Sequence, residues 1–142
     1  MKRLGTCLVV MMALVGLVGS ASAQDKALMA KGQKVYNEYC KTCHQANGQG
    51  LGTVYPPLAK SDYLKSAKKE VIIHEVVFGK SGKVKVNGKE YNGVMAPLPS
   101  KYTDEDVAGV ISYVYNSFGN KGPAVTPAEV KKVRAGGAKK KW

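Results

Sequence analysis

Cys40-Lys41-Thr42-Cys43-His44 decides how this chain of 142 residues is read. Upstream, Leu28, Gly32, Val35, Tyr36 and Tyr39 are spaced by four, three, one and three residues. That spacing puts them on one face of a helix running directly into the cysteines. Downstream comes Gln45-Ala46-Asn47-Gly48-Gln49-Gly50-Leu51-Gly52, a glycine-rich loop, and then Pro56-Pro57. Proline has no amide donor, so no helix continues through that pair. Two cysteines three apart near a helix end project to the same side, with the imidazole of the next residue beside them.

This Cys-x-x-Cys-His spacing is the attachment signature of a c-type haem. Each sulfur can bond one vinyl group of the macrocycle while His44 approaches the iron from one face. Three plainer chemistries compete. A thioredoxin-like redox pair needs a βαβ setting, whereas here a helix precedes and a glycine loop follows. Structural zinc needs four ligands, which would have to be Cys40, Cys43, His44 and His74. A simple disulfide leaves His44 without a role. The reading is therefore one covalent haem c.

The chain's start explains why only two cysteines count. Met1-Lys2-Arg3 is basic, Leu4 to Gly19 is almost wholly apolar, and Ala21-Ser22-Ala23 supplies small residues before Gln24. That is the layout of a secretory signal peptide cleaved after Ala23. The apolar run is short of the roughly 20 residues that cross a bilayer comfortably. Cys7 precedes most of that run, which disfavours a lipoprotein signal. Cleavage leaves 119 residues (142 − 23), among them only Cys40 and Cys43 as thiols. A domain of that size makes a small core and often leans on a cofactor.

Lys and Arg number 22 against 10 Asp and Glu, and losing Lys2 and Arg3 makes it 20 against 10. Such a charge steers association with acidic proteins and can hold a chain weakly near anionic lipid. Nucleic acid is not expected for an exported protein. The periplasm is the expected compartment and a monomer the expected state.

Beyond the motif, a short helix is expected over Ser61 to Lys65, starting at a Ser-Asp pair suited to capping. A second covers Lys69 to Phe78, with Ile72, Ile73, Val76 and Val77 inward. Alternation around Asn87-Gly88 in Lys83 to Tyr91 predicts a β-hairpin. Asn92 to Pro99 is expected as a loop. Thr103-Asp104-Glu105-Asp106 forms a capping box, followed by Val107, Val110, Ile111, Val114 and Phe118 at helical spacing up to Gly119. From Ala124 the chain reads as a tail, in which Thr126-Pro127-Ala128-Glu129 can start one more short helix and the basic part from Lys131 to Trp142 is expected to move freely. The organisation is thus a signal peptide over 1–23, one haem domain over 24–122 and a basic tail over 123–142.

The sixth iron ligand follows by elimination. Met1, Met11 and Met12 leave with the signal, and Met29 lies on the helix before the cysteines. That leaves Met95, between Gly93 and Pro97, where it occupies no regular packing face. His74 is the rival. A ligating histidine usually donates its other N–H to a carbonyl, and Pro56 in Tyr55-Pro56-Pro57-Leu58 is the favoured acceptor. Leu58 would pack on the ring.

With Gly32, Tyr36, the Cys40–His44 motif, Tyr55-Pro56-Pro57-Leu58, Met95 in Gly-Val-Met-Ala-Pro and Tyr113, the chain resembles a class I monohaem cytochrome c over nearly all of 24–120. The resemblance implies an all-α fold around one haem, here with an inserted hairpin. It also implies that the first and last helices cross with Gly32 against Tyr113, and that the activity is electron transfer without enzyme chemistry. The hairpin and the Ser112–Asn120 ending resemble cytochrome domains associated with bacterial nitrite reductases. The expected role is a transient electron carrier to acidic partners. Alternatives are a fixed subunit of a periplasmic reductase or dehydrogenase, and a haem protein in which Met95 dissociates to admit a ligand.

Overall fold

A computed structural model describes residues 18–139, with side chains from residue 25 onward. The expected signal peptide lies outside the described residues but for the backbone of its end. Helix α1, Val18–Val35, passes through a π-helical turn, Tyr36–Cys40, into the four-residue α2, Lys41–His44. The helix expected to run into the cysteines does so, and the wider turn falls next to the motif. π-turns of this kind cluster at functional sites.

Short α3, Asp62–Ser66, is capped by the Ser61 side chain, which accepts from the Leu64 amide. Helix α4 spans Lys69–Phe78 and stops at Gly79, whose φ of 82° lies outside the helical region. Helix α5, Asp104–Tyr115, carries the expected capping box between Thr103 and Asp106. It packs most extensively on α1. At the crossing, a Cβ added to Gly32 would sit 2.0 Å from the Gly109 carbonyl oxygen and 2.9 Å from Tyr113 Cβ. Tyr113 does face Gly32 there, but the tightest contact is glycine against glycine.

Strands β1, Lys80–Val86, and β2, Lys89–Met95, form the antiparallel hairpin, with Asn87 and Gly88 both at positive φ. Two consecutive left-handed residues make the two-residue turn whose twist suits flanking strands. The sheet runs longer than expected. Asn92 to Met95 belongs to β2 rather than to a loop, because Gly82 pairs with Gly93 and Lys80 with Met95. The glycine pair that reads locally as a turn is tolerated inside the ladder.

Two further expectations change. Helix α5 ends at Tyr115 and not at Phe118, since Asn116 leaves helical geometry and Phe118 turns to φ 56°. The segment after Ala124 is also packed on the domain as far as its valines reach. Helix α6, Pro127–Gly136, begins at a Thr126–Glu129 capping box, and Val125, Val130 and Val133 are fully buried in the core. Ser112 fastens its start by donating to the Val125 carbonyl and accepting from the Val125 amide. Ion pairs Lys69–Glu129 and Arg134–Asp104 hold the rest. Among the described residues, no helix is long and apolar enough to cross a membrane.

Candidate haem site

The π-turn and α2 present Cys40 and Cys43, both free thiols and both partly exposed. Burial pushes the Cys40 thiol up to about 11, so before reaction it is a neutral thiol at physiological pH. His44 closes α2 and is 9% exposed. Its Nδ1 lies 3.0 Å from the Pro56 carbonyl oxygen. With Nδ1–H donating to that carbonyl, Nε2 carries the lone pair and is free to bind a metal. Burial lowers the His44 pKa, only partly offset by the Pro56 bond, and the neutral ring is the form that ligates.

Local geometry brings Pro56 to this place. Gln45 turns to φ 63° and closes α2 by donating its backbone amide to the Lys41 carbonyl. The Gly50 amide donates to the His44 carbonyl, and the Gly48 carbonyl accepts from both Leu58 and Ala59. Gly50 lets the loop fold back on itself, since a Cβ there would lie 2.3 Å from the Tyr55 carbonyl oxygen. Fully buried Tyr36 donates its hydroxyl to the Gln45 carbonyl at 2.7 Å. Leu58 is partly buried against the core, and its carbonyl accepts from Asn120 at 2.8 Å.

Met95 is the last residue of β2. It lines a hollow of about 190 Å³ with Phe78, Gly79, Lys80, Ser81, Val94 and Pro97. A Cβ on Gly79 would approach the Met95 carbonyl oxygen to 2.8 Å, so only glycine lets the end of α4 pass beneath it. Two bonds fix the chain just beyond: Tyr39 donates to the Pro97 carbonyl at 3.0 Å, and the Leu98 amide to the Val76 carbonyl at 2.8 Å. His74 points elsewhere. Its Nε2 lies 2.9 Å from the Ala138 carbonyl oxygen and its ring rests against Phe78.

The donor set fits a covalent haem: two unbridged thiols on one helical end, and a buried imidazole with one nitrogen already committed. Leu51, Val54 and Val94, the exposed large apolar side chains among the described residues, lie in the segments beside Pro56 and Met95. Sequence reasoning missed Tyr39, Gly79 and Asn120 as supports, because their partners lie 58, 16 and 62 residues away. No local pattern signals such pairs.

The family model for cytochrome c matches residues 29–117. Cytochrome c-552 of Thermus thermophilus is 37% identical over 133 residues, covering 88% of this chain and 85% of that protein. The cytochrome c subunit of a quinone alcohol dehydrogenase from Gluconobacter oxydans is 26% identical across 85% of this chain, and 27% of its own length is covered. A fructose dehydrogenase cytochrome subunit from Gluconobacter japonicus is 30% identical over 75% of this chain and 22% of that protein.

Proposed function

The chain belongs to the cytochrome c family, and on that premise we propose that it is a periplasmic single-electron carrier in which His44 and Met95 would hold the iron of its covalent haem c. The observation that carries this reading is the His44–Pro56 bond at 3.0 Å, beside two free thiols. Bound haem supplies one-electron chemistry. Cys40 and Cys43 anchor it, and the Pro56 carbonyl fixes both the tautomer and the orientation of His44. A histidine and a thioether together favour a raised reduction potential. His44 and Met95 would both hold the iron, leaving no site for substrate, so that the chain would pass electrons without chemistry of its own.

The signal-like start over 1–23 supports export. The excess of lysines supports steering towards acidic redox partners at low ionic strength, in small and transient interfaces. A monomer that touches anionic lipid weakly and ignores nucleic acid completes the reading. A second reading, a fixed subunit of a dehydrogenase complex, is supported by relatives that bear such names. Co-purification with an enzyme in constant ratio would favour it.

The test is spectroscopic. The ferric protein should show the weak far-red band that a thioether gives to haem iron, and Met95→Ala should abolish it. A band that survives the substitution rules out Met95. Ready binding of carbon monoxide by the ferrous wild-type protein at neutral pH would argue for a ligand that leaves.

A further inference from the structure

The strand pair carrying Met95 is tied to α4 by a cluster of charged and phenolic groups. Lys80 opens β1 directly opposite Met95. Its ammonium reaches Glu75 Oε1 on α4 at 2.5 Å, with the two side chains 27% and 14% exposed. The same oxygen accepts from the Tyr63 hydroxyl at 2.6 Å. The Lys80 ammonium also stands 5.5 Å from the centre of the Tyr63 ring. Exposed pairs such as Lys83–Glu90, 68% and 61% exposed, are screened by water and contribute little. The enclosed pair is screened far less, and removing one partner would strand a half-buried charge.

We infer that Lys80 and Glu75 are positioning residues for Met95, bracing the base of the hairpin on α4 and so fixing the strand end that offers the thioether to iron. The inference rests on the reading of Met95 as axial ligand. On its C-terminal side Met95 is secured by the bonds at Pro97 and Leu98. On the strand side, its partner Lys80 follows α4 after Gly79 alone, a residue at φ 82°. Glycine is the most permissive hinge the chain can contain, and two strands by themselves are marginal. The Lys80–Glu75 pair spans that hinge. The far end of the hairpin has its own clasp: Asn87 and Asp62 each accept the other's backbone amide, at 3.0 and 2.6 Å. The tip is thus held independently of the base. A neutral thioether exerts no long-range pull on iron, so its occupancy depends on how the chain holds it.

Ferric holoprotein carrying Lys80→Met, Glu75→Gln or Lys80→Arg tests this with added imidazole, which competes for the position of Met95. Apparent affinity rises in proportion to the fraction of molecules with that position open. Lys80→Met and Glu75→Gln should each tighten imidazole binding by about tenfold. Each should also lose the far-red band at a lower temperature, while the circular dichroism melt moves much less. Lys80→Arg, which keeps the ion pair, should behave as wild type. Unchanged imidazole affinity in both charge-removing variants overturns the brace, as does a band that melts only together with the fold. If the wild-type protein has no far-red band and Met95→Ala leaves its spectrum unaltered, the ligand reading falls, and the brace with it.

Discussion

On one side of the haem site, Cys40, Cys43 and His44 stand within five consecutive residues at a helical end, and the carbonyl that orients His44 is 12 residues away. On the side that we propose completes it, Met95 ends a strand. The groups that hold it come from α4, from Tyr39 and from the opposite strand. The first side is local structure bearing its own chemistry. The second exists only once distant segments have met. A helix end folds from nearby contacts, whereas strand pairing and its tertiary ties must first overcome loop-closure entropy. The Met95 side should therefore be the first to loosen and the easier to perturb in isolation.

The largest expected effect breaks the local side. Cys40→Ala combined with Cys43→Ala removes both sulfurs, and the exported product should have the mass of the bare polypeptide. A covalent haem on that variant would contradict the attachment assigned here. Next comes Gly32→Ala, which strikes the crossing beneath both sides. Its new methyl would lie 2.0 Å from a backbone oxygen of α5, which no side-chain rotation relieves. Overpacking of that kind costs about 3 kcal/mol, read as a lower denaturant midpoint. Since the crossing supports both sides, amide exchange should speed up in α2 and in the hairpin alike.

A smaller, one-sided effect should follow Asn87→Ala. It deletes the acceptor for the Asp62 amide and forces a Cβ residue without a local hydrogen-bonding side chain to φ 51°. Left-handed geometry costs roughly 1 kcal/mol and a lost hydrogen bond about another. Asn87→Gly, relieved of the backbone term, should lose about half as much. Hydrogen exchange should accelerate at Lys80 to Met95 and stay unchanged at Lys41 to His44. Equal acceleration in both places would erase the distinction between the two sides.

The same distinction governs what the sequence discloses. The haem-bearing helical end, the Lys69–Phe78 helix with its stop at Gly79, and both capping boxes are written in residues a few positions apart, where spacing and capping chemistry act directly. The hairpin turn at Asn87-Gly88 is equally plain, because two positive φ angles demand those residue types. How far the strands run is not, since Gly82 opposite Gly93 is a pairing and not a pattern. The last turn expected for α5 fails for a similar reason: Phe118 keeps helical spacing but turns to φ 56°, packing its ring against Tyr36 and Tyr113. The segment after Ala124 reads as a tail because its lysines dominate its composition. Val125, Val130 and Val133 nevertheless reach the core, which periodicity over so short a stretch conveys poorly. Braces such as Lys80–Glu75 have no local signature at all.

The smallest effect separates the two sides by proton. Met95 has no titrating group, but His44 does. Burial lowers its pKa below the ordinary value of 6.5, with the Pro56 bond opposing. A group held neutral in the folded state refuses a proton that the unfolded chain accepts. Its contribution to stability is complete above pH 6.5 and drains away as pH falls from there through the folded pKa. Iron held on Nε2 would act in the same direction, because a bound nitrogen has no lone pair left for a proton. Denaturant midpoints should therefore be level between pH 8 and 7 and decline from about pH 6.5 downward, before most carboxylates begin to titrate. Met95→Ala should retain that decline, since its proton is taken up on the other side. A midpoint that stays level from pH 7 to 5.5 would mean that His44 is not held neutral by the site, and the Pro56 carbonyl would lose its assigned role in choosing which nitrogen faces the iron.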